Sequence, residues 1–190
     1  RARVAGTGRP NLPLGPNHRT TNGQRYGGAV PVPVVLVHGW GGSFEATWQR
    51  SGVAELLRDM GRPVIGVDLL GHGSAPRPHD PAAYADLGGR VVAAIDAEAG
   101  GGRVVAIGFS LGAITLLRVA IDTPDRFRHL VLAGVGRNVL EADAGSGERI
   151  ALAVEGRAPD DDTPAQVFAQ SAAQPGNDPA ALAAVMRRPR

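Results

Sequence analysis

A serine set between glycines is the strongest candidate for a nucleophile in this chain. Residues 108–112 read Gly-Phe-Ser-Leu-Gly, with Ser110 at the centre. The residues just before them, 104–107, form an uninterrupted apolar run that is typical of a strand buried on both faces. From Leu111 onward the apolar residues follow the spacing of a helix, and one predicted face carries Leu111, Ile114, Leu117 and Ile121. The pattern therefore predicts a strand, a sharp turn that carries a serine hydroxyl, and a helix.

A turn of the G-x-S-x-G type holds its central residue in a strained backbone conformation. The strand and the helix nearly touch there, so the flanking residues must be small, and Gly108 and Gly112 meet that requirement. The strain would hold the Ser110 hydroxyl at the carboxyl end of the sheet, where the first free N–H groups of the helix face whatever it attacks. The alternative is an ordinary strand–helix turn that happens to contain a serine.

Two further loops follow predicted strands upstream of the serine. Residues 30–37 form a strand that leads into 38–42, His-Gly-Trp-Gly-Gly. Residues 63–67 form a strand that leads into 68–74, Asp-Leu-Leu-Gly-His-Gly-Ser, and a fourth strand is predicted over 128–133. Parallel strands joined by helices place their carboxyl-end loops on one edge of the sheet, where ligands bind. These loops are therefore expected to lie beside the serine turn.

The three loops, in this order, resemble the α/β-hydrolase family in its serine-nucleophile branch of esterases and lipases, over roughly residues 30–135. The resemblance implies an α/β fold, with a mostly parallel sheet and helices on both of its faces in a three-layer sandwich. It implies that Ser110 is the catalytic nucleophile. It also implies that the backbone N–H groups of Trp40 and Leu111 form the oxyanion hole, the pair of donors that stabilises negative charge on the attacked carbonyl oxygen.

The resemblance gives supporting roles to the neighbouring motif residues. His38 and Gly39 are expected to shape the loop that carries the Trp40 amide, and His38 is not expected to be the catalytic base. Asp68 is expected to brace backbone amides of its own loop, since the family places its catalytic acid later in the chain. Gly108 and Gly112 support the serine turn.

The resemblance further implies hydrolysis of small-molecule carboxylic esters or related acyl compounds through an acyl-enzyme at Ser110, with no metal ion and no organic cofactor. Thioesterase, lactonase, acyltransferase and carbon–carbon bond hydrolase activities stay open, because such enzymes share the same serine turn. A second hypothesis comes from a different class: a non-catalytic ligand-binding or interaction protein of the same fold.

The remaining members of a catalytic triad are harder to place. The family order is serine, then an acid, then a histidine. After the serine turn the only histidine is His129, at the start of a predicted strand, and the acids Glu141 and Asp143 follow that strand. We therefore expect the triad acid and histidine, and the last strands of the sheet, to lie beyond Arg190 in a longer gene product. The 190-residue piece alone is expected to be nearly inactive, since a serine without a base is a weak nucleophile.

The composition of the chain argues against several other classes of function. The chain has no cysteine, which excludes disulfides and Cys-ligated zinc. All 20 basic residues are arginine, interleaved with 18 acidic residues for a net charge of +2, so we expect no nucleic-acid partner. No apolar run is long enough to span a membrane and no signal peptide is visible, which predicts a cytoplasmic location, although the chain does not begin with methionine. The oligomeric state stays open.

The sequence divides into three predicted segments. Residues 1–29 are predicted to be irregular, 30–136 to form the α/β-hydrolase core, and 137–190 to form a helical, cap-like segment. Within the core, helices are predicted over 44–60 and 80–98.

In the cap-like segment, helices are predicted to begin at Thr163 and Asp178, on either side of a short acidic turn that ends at Asp162 and is not expected to bind metal. Its apolar side chains could line a substrate pocket or pack against the core. They are Leu152, Val167, Phe168 and Leu182.

Overall fold

The computed structural model describes residues 31–137, 145–159 and 161–189 of the 190-residue chain. By its internal contacts the chain divides into residues 1–30 and residues 31–190. The predicted irregular segment 1–29 lies outside the described residues, as do Glu141 and Asp143.

In the described part of the chain, four parallel strands form a sheet, and their order across it is β2-β1-β3-β4. The strands are β1 (Val34–Val37), β2 (Val64–Val67), β3 (Val104–Phe109) and β4 (Phe127–Ala133). The predicted parallel sheet is confirmed. Strand β1 is shorter than the predicted 30–37, because Pro31 and Pro33 lack the N–H group that a strand needs for pairing.

Within the described ranges 31–137, 145–159 and 161–189, six α-helices follow the strands or connect them. They are α1 (Val53–Asp59), α2 (Gly88–Ala99), α3 (Leu111–Asp122), α4 (Ser146–Val154), α5 (Thr163–Ala172) and α6 (Pro179–Met186). Helix α4 was not predicted from the sequence. A π-helical turn (Glu45–Gln49) and two 3-10 turns (Pro81–Tyr84 and Pro124–Arg126) complete the regular elements.

Two predicted long helices are each divided in two. The helix predicted over 44–60 is interrupted at Gly52, whose φ of 80° ends the π-helical turn before α1 begins. The helix predicted over 80–98 starts as a 3-10 turn that Asp80 caps by accepting a hydrogen bond from the Ala82 amide at 2.9 Å. Helix α2 then begins separately.

Alternate strand residues supply the two sides of the sheet with apolar side chains. On one side the largest cluster packs α2, α3 and α6 against Val35 and Val37. On the other side the π-helical turn and α1 pack Trp48 and Ala54 against Val34 and Leu36. The sheet therefore carries helices on both faces, as predicted.

Helix α3 buries a different stripe from the one its apolar spacing suggested. Leu111 is buried, but Ile121 on the same stripe is 71% exposed, while Thr115, Leu116 and Val119 are buried. In the part of the chain that the structure describes, no helix has both the length and the apolar character needed to cross a bilayer.

Candidate active site

The serine turn has the strained geometry expected of it. Ser110 adopts φ 50° and ψ −112°, and among the described residues no other non-glycine residue has a positive φ. Such a conformation costs a non-glycine residue on the order of 1–3 kcal/mol. Hydrogen bonds impose it on both sides, because the Ser110 amide donates to the Ala133 carbonyl at 2.8 Å and its carbonyl accepts from the Ile114 amide at 3.0 Å.

The glycines that flank the serine lie where backbone meets backbone. A Cβ atom on Gly108 would be 2.7 Å from the Ala113 nitrogen. A Cβ atom on Gly112 would be 2.5 Å from both the Val37 and the His38 carbonyl oxygens. Helix α3 can therefore begin against the ends of β1 and β3 only if both positions lack a side chain.

The same close approach brings the loop after β1 beside the start of α3. Residues 38–42, called the Trp40 loop from here on, follow Val37, which pairs with Gly108 in the sheet. Neither the Trp40 amide nor the Leu111 amide has a hydrogen-bond partner among the described residues. The Ser110 hydroxyl, on a half-buried residue, likewise has no hydrogen-bond partner in residues 31–137, 145–159 and 161–189. The Trp40 and Leu111 amides and the Ser110 hydroxyl, all without hydrogen-bond partners in the described residues, thus lie at one edge of the sheet.

His38 is buried and fixes the direction of one of these donors. Its Nε2 atom accepts a hydrogen bond from the Leu69 amide at 3.1 Å, so the ring proton lies on Nδ1, which donates to the Gly39 carbonyl at 2.7 Å. The Gly42 amide donates to the same carbonyl at 3.1 Å. Because the C=O and N–H of a trans peptide point in opposite directions, this arrangement also sets the direction of the Trp40 N–H. The expected supporting role of His38 fits this geometry.

Asp68 ties its own loop to the segment that follows the Trp40 loop. One carboxylate oxygen accepts from the Phe44 amide at 2.7 Å, and the other accepts from the Ser74 amide at 2.8 Å and the Ser74 hydroxyl at 2.9 Å. Burial opposes ionisation of the carboxyl, but these hydrogen bonds outweigh it and hold the pKa of Asp68 below its ordinary value. Every acceptor site it uses serves the loops, as a bracing residue requires.

His72 is buried against His38, with 5.0 Å between the ring centroids. Its Nδ1 atom lies 3.0 Å from the Leu70 carbonyl, while its Nε2 atom has no hydrogen-bond partner among the described residues. Burial, followed by the neighbouring His38, lowers the pKa of His72 to about 4. Burial also lowers the pKa of His38. Both rings are therefore neutral in the folded protein near pH 7.

We expect the protein to lose stability as the pH falls from about 6.5 to about 4. An unfolded histidine binds its proton near pH 6.5, whereas folded His72 does so near 4, so protons favour the unfolded state across that window. The stabilisation that comes from keeping His72 neutral is complete above pH 6.5. Its loss down to pH 4 lowers the free energy of unfolding by about 3 kcal/mol. Urea unfolding at pH 7.5 and 4.5 measures the difference. His72→Asn, which can still donate to the Leu70 carbonyl, should lose less stability between these two pH values than the wild type. Equal losses in both proteins would contradict the assignment of this pH dependence to His72.

The remaining histidines of the described residues lie away from the serine hydroxyl or are engaged elsewhere. His129 pairs with Val105, four residues before Phe109 in β3, which places it about 13 Å down the sheet from the serine turn. His79 Nε2 lies 3.0 Å from an Asp178 carboxylate oxygen, at the start of α6. No general base for Ser110 is therefore identified within the described residues.

Helices α5 and α6 pack onto the Trp40 loop. The Trp40 ring meets the Phe168 ring edge-on at a centroid distance of 5.3 Å, and its Nε1–H donates to the Leu182 carbonyl at 3.1 Å. Leu182 is fully buried, whereas Val167 is 56% exposed and Leu152 is half-buried. Of the four apolar residues singled out in the cap-like segment, Phe168 contacts the loop through its ring and Leu182 through its carbonyl oxygen.

The short acidic turn before α5 has structural partners. Helix α5 begins at Thr163 as predicted, and Asp162 caps it by accepting from the Ala165 amide at 3.3 Å. Asp162 also lies 3.4 Å from the Arg149 guanidinium. In the described part of the chain, no three side chains of the metal-binding types come together.

Known proteins resemble this chain in sequence. The profile of the alpha/beta hydrolase fold matches residues 32–173. Esterase Rv0045c of Mycobacterium tuberculosis is 32% identical over 120 residues, which are 63% of this chain and 38% of that protein. A pimeloyl-[acyl-carrier protein] methyl ester esterase of Neisseria meningitidis is 38% identical over 111 residues, which are 52% of this chain and 34% of that protein. The matched stretch is therefore less than two-fifths of the length of either esterase.

The fold is shared with solved structures as well. A hydrolase from Pseudomonas aeruginosa PA01 gives a TM-score of 0.53 at 24% identity, covering 84% of this chain and 64% of that one. At this identity the likeness concerns the fold alone. The family profile, by contrast, extends from the start of β1 to the end of α5, well over half of the chain. The chain therefore belongs to the α/β-hydrolase fold family.

Proposed function

We propose that this protein is a serine hydrolase that cleaves carboxylic esters or related acyl compounds through an acyl-enzyme at Ser110. The observation that carries the proposal is the positive φ of Ser110 at the head of α3, with a hydroxyl that has no hydrogen-bond partner within the described residues. A fold retains strain of this size where the surrounding structure imposes it, and such sites cluster where chemistry is done. The two relatives named as esterases support the choice of substrate class.

In the proposed reaction the Ser110 oxygen adds to the carbonyl carbon of the ester, and its proton passes to a general base. The carbonyl oxygen becomes an oxyanion, which accepts hydrogen bonds from the Trp40 and Leu111 amides. The bond to the leaving alcohol then breaks, and water releases the acid from the acyl-enzyme. Removing one such donor typically costs ~10²–10³ in rate, so the fixed direction of these two amides matters.

The base is assigned by family resemblance to a histidine outside the described residues. Without it, the hydroxyl would still be positioned but weakly nucleophilic. The proposal therefore concerns the full product of the gene, and the tests below use that protein.

A fluorophosphonate probe tests the proposal. The full gene product should take up one phosphonyl group, and mass spectrometry of its peptides should place that group on Ser110. Ser110→Ala should take up none and should lose at least ~10³-fold in hydrolysis of p-nitrophenyl butyrate. Ser51→Ala, which removes an exposed hydroxyl bonded to the Thr47 carbonyl, is the matched control and should label like the wild type. A wild-type protein that stays unlabelled would favour a non-catalytic binding protein of this fold.

A further inference from the structure

Two groups of residues hold the Trp40 loop. Buried His38 holds it on its inner side, toward the protein interior, and the cap segment holds it on its outer side. The cap segment is defined as residues 163–186, which are α5, α6 and the connection between them. On the inner side, the Gly39 carbonyl accepts two hydrogen bonds from within the loop. On the outer side, hydrogen bonds within the described residues link the loop to Leu182 and Asn177, which are far away in the sequence. Both sides act on one peptide unit, because the Gly42 N–H donates to the Gly39 carbonyl while the Gly41 carbonyl accepts from Asn177.

Asn177 makes the second of these outer contacts, beside the one from the Trp40 ring. Its side-chain amide nitrogen donates to the Gly41 carbonyl at 3.0 Å and to the Ser171 carbonyl at 2.9 Å. One amide group thus uses both of its N–H bonds to join the end of α5 to the Trp40 loop. The residue is half-buried and partly shielded from water, which strengthens both bonds.

The residue that Asn177 holds is a glycine of the loop with a left-handed backbone conformation. Gly41 has no side chain and a φ of 71°, so its backbone has more freedom than that of any L-residue. It directly follows Trp40, the residue whose N–H has no partner in the described structure. An anchor on the Gly41 carbonyl therefore holds the peptide whose Gly42 N–H donates to the Gly39 carbonyl, and so supports the arrangement that orients the Trp40 N–H.

We propose that Asn177 is a positioning residue for the oxyanion hole, through which the cap segment helps the His38–Gly39 arrangement to hold the direction of the Trp40 amide. The inference rests on the proposed function, since it concerns the same oxyanion. Asn177 contacts neither the hydroxyl nor the predicted donors, and it acts through Gly41. The contact between the Trp40 ring and the Leu182 carbonyl acts in the same direction. The cap segment thereby contributes to the rate of the reaction.

Asn177→Ala removes the anchor while leaving the hydroxyl and both predicted donors in place. We expect the fluorophosphonate labelling rate constant, per titratable site, to fall about tenfold, less than the ~10²–10³ for a lost donor. For an ester substrate, kcat should fall by a similar factor with little change in KM. Asn177→Asp keeps the shape of the side chain but turns a carboxylate oxygen toward the Gly41 carbonyl. Its labelling rate constant should therefore fall at least as far as that of Asn177→Ala. Gln174→Ala is the control and should leave the rate unchanged, since within the described residues the Gln174 side chain bonds the Gln170 carbonyl alone and the substitution keeps its backbone bonds.

The outcomes separate this inference from the proposed function. A wild-type protein that the probe does not label contradicts the proposed function and the inference together. A labelled wild type with unchanged rate constants in both Asn177 variants overturns the inference alone, and a lower urea midpoint would then make Asn177 a purely structural residue. Rate constants that fall in the Asn177 variants but not in Gln174→Ala support it. Trp40→Phe, which keeps the backbone N–H but loses the bond to Leu182, should then show a fall of the same kind.

Discussion

Gly112→Ala should lower the free energy of unfolding by about 3 kcal/mol or more, although alanine is ordinarily the better residue in a helix by about 1 kcal/mol. The added Cβ atom would lie 2.5 Å from the carbonyl oxygens of Val37 and His38, which belong to backbone and cannot rotate away. Helix α3 would have to move off the end of β1, and the Leu111 amide would move with it. Urea unfolding measures the loss, and the phosphonate probe should label the folded variant more slowly.

Two matched variants separate crowding from other effects of glycine. Gly52→Ala places its Cβ where no atom lies within 4 Å, so it should cost only the strain of its positive φ, about 1 kcal/mol. Ser110→Gly removes the hydroxyl but relieves the strain at φ 50°, so it should be at least as stable as the wild type while taking up no probe. A Gly112→Ala protein as stable as the wild type would contradict the close approach of α3 to β1.

The serine turn could be predicted because its determinants are local. A buried apolar run, two glycines and a change to helical spacing all fall within residues 104–121. The structure places β3 and α3 on either side of Ser110, and the family and the parallel sheet are confirmed. The roles of the serine and of the two amides stay predictions. The helix break at Gly52 was missed because apolar spacing continues on both sides of it.

The contacts of the cap segment could not be predicted in the same way. Trp40 and Leu182 are 142 residues apart, and Gly41 and Asn177 are 136 apart, so no spacing rule relates them. An asparagine before a helix reads as an ordinary turn residue. Its link to the Trp40 loop appears only once the chain is folded, because tertiary packing decides it.

Asp68→Ala should cost about 3 kcal/mol of unfolding free energy, and Asp68→Asn nearly as much. Hydrogen bonds to a charged acceptor are worth about 1.5–3 kcal/mol each, and the carboxylate accepts three from Phe44 and Ser74. An asparagine would turn an NH₂ group toward at least one N–H donor, so it cannot replace the carboxylate. Asp80→Asn is the matched control, because that exposed carboxylate caps the turn with one bond and asparagine caps equally well.

Dependence on pH and labelling decides whether Asp68 braces a loop or takes part in catalysis. Because its folded pKa lies below the ordinary 3.8, its stabilisation is complete above pH 3.8 and is lost only as the pH falls below that value. The difference in stability between the wild type and Asp68→Asn should therefore not shrink from pH 7.5 to 4.5. It should widen if it changes, because the Asp68 charge raises the pKa of His38 and His72, and the variant loses that effect. An Asp68→Asn protein that keeps its stability but no longer reacts with the probe would make Asp68 a catalytic acid. That result would contradict the bracing role, which rests on the hydrogen bonds of the carboxylate to Phe44 and Ser74.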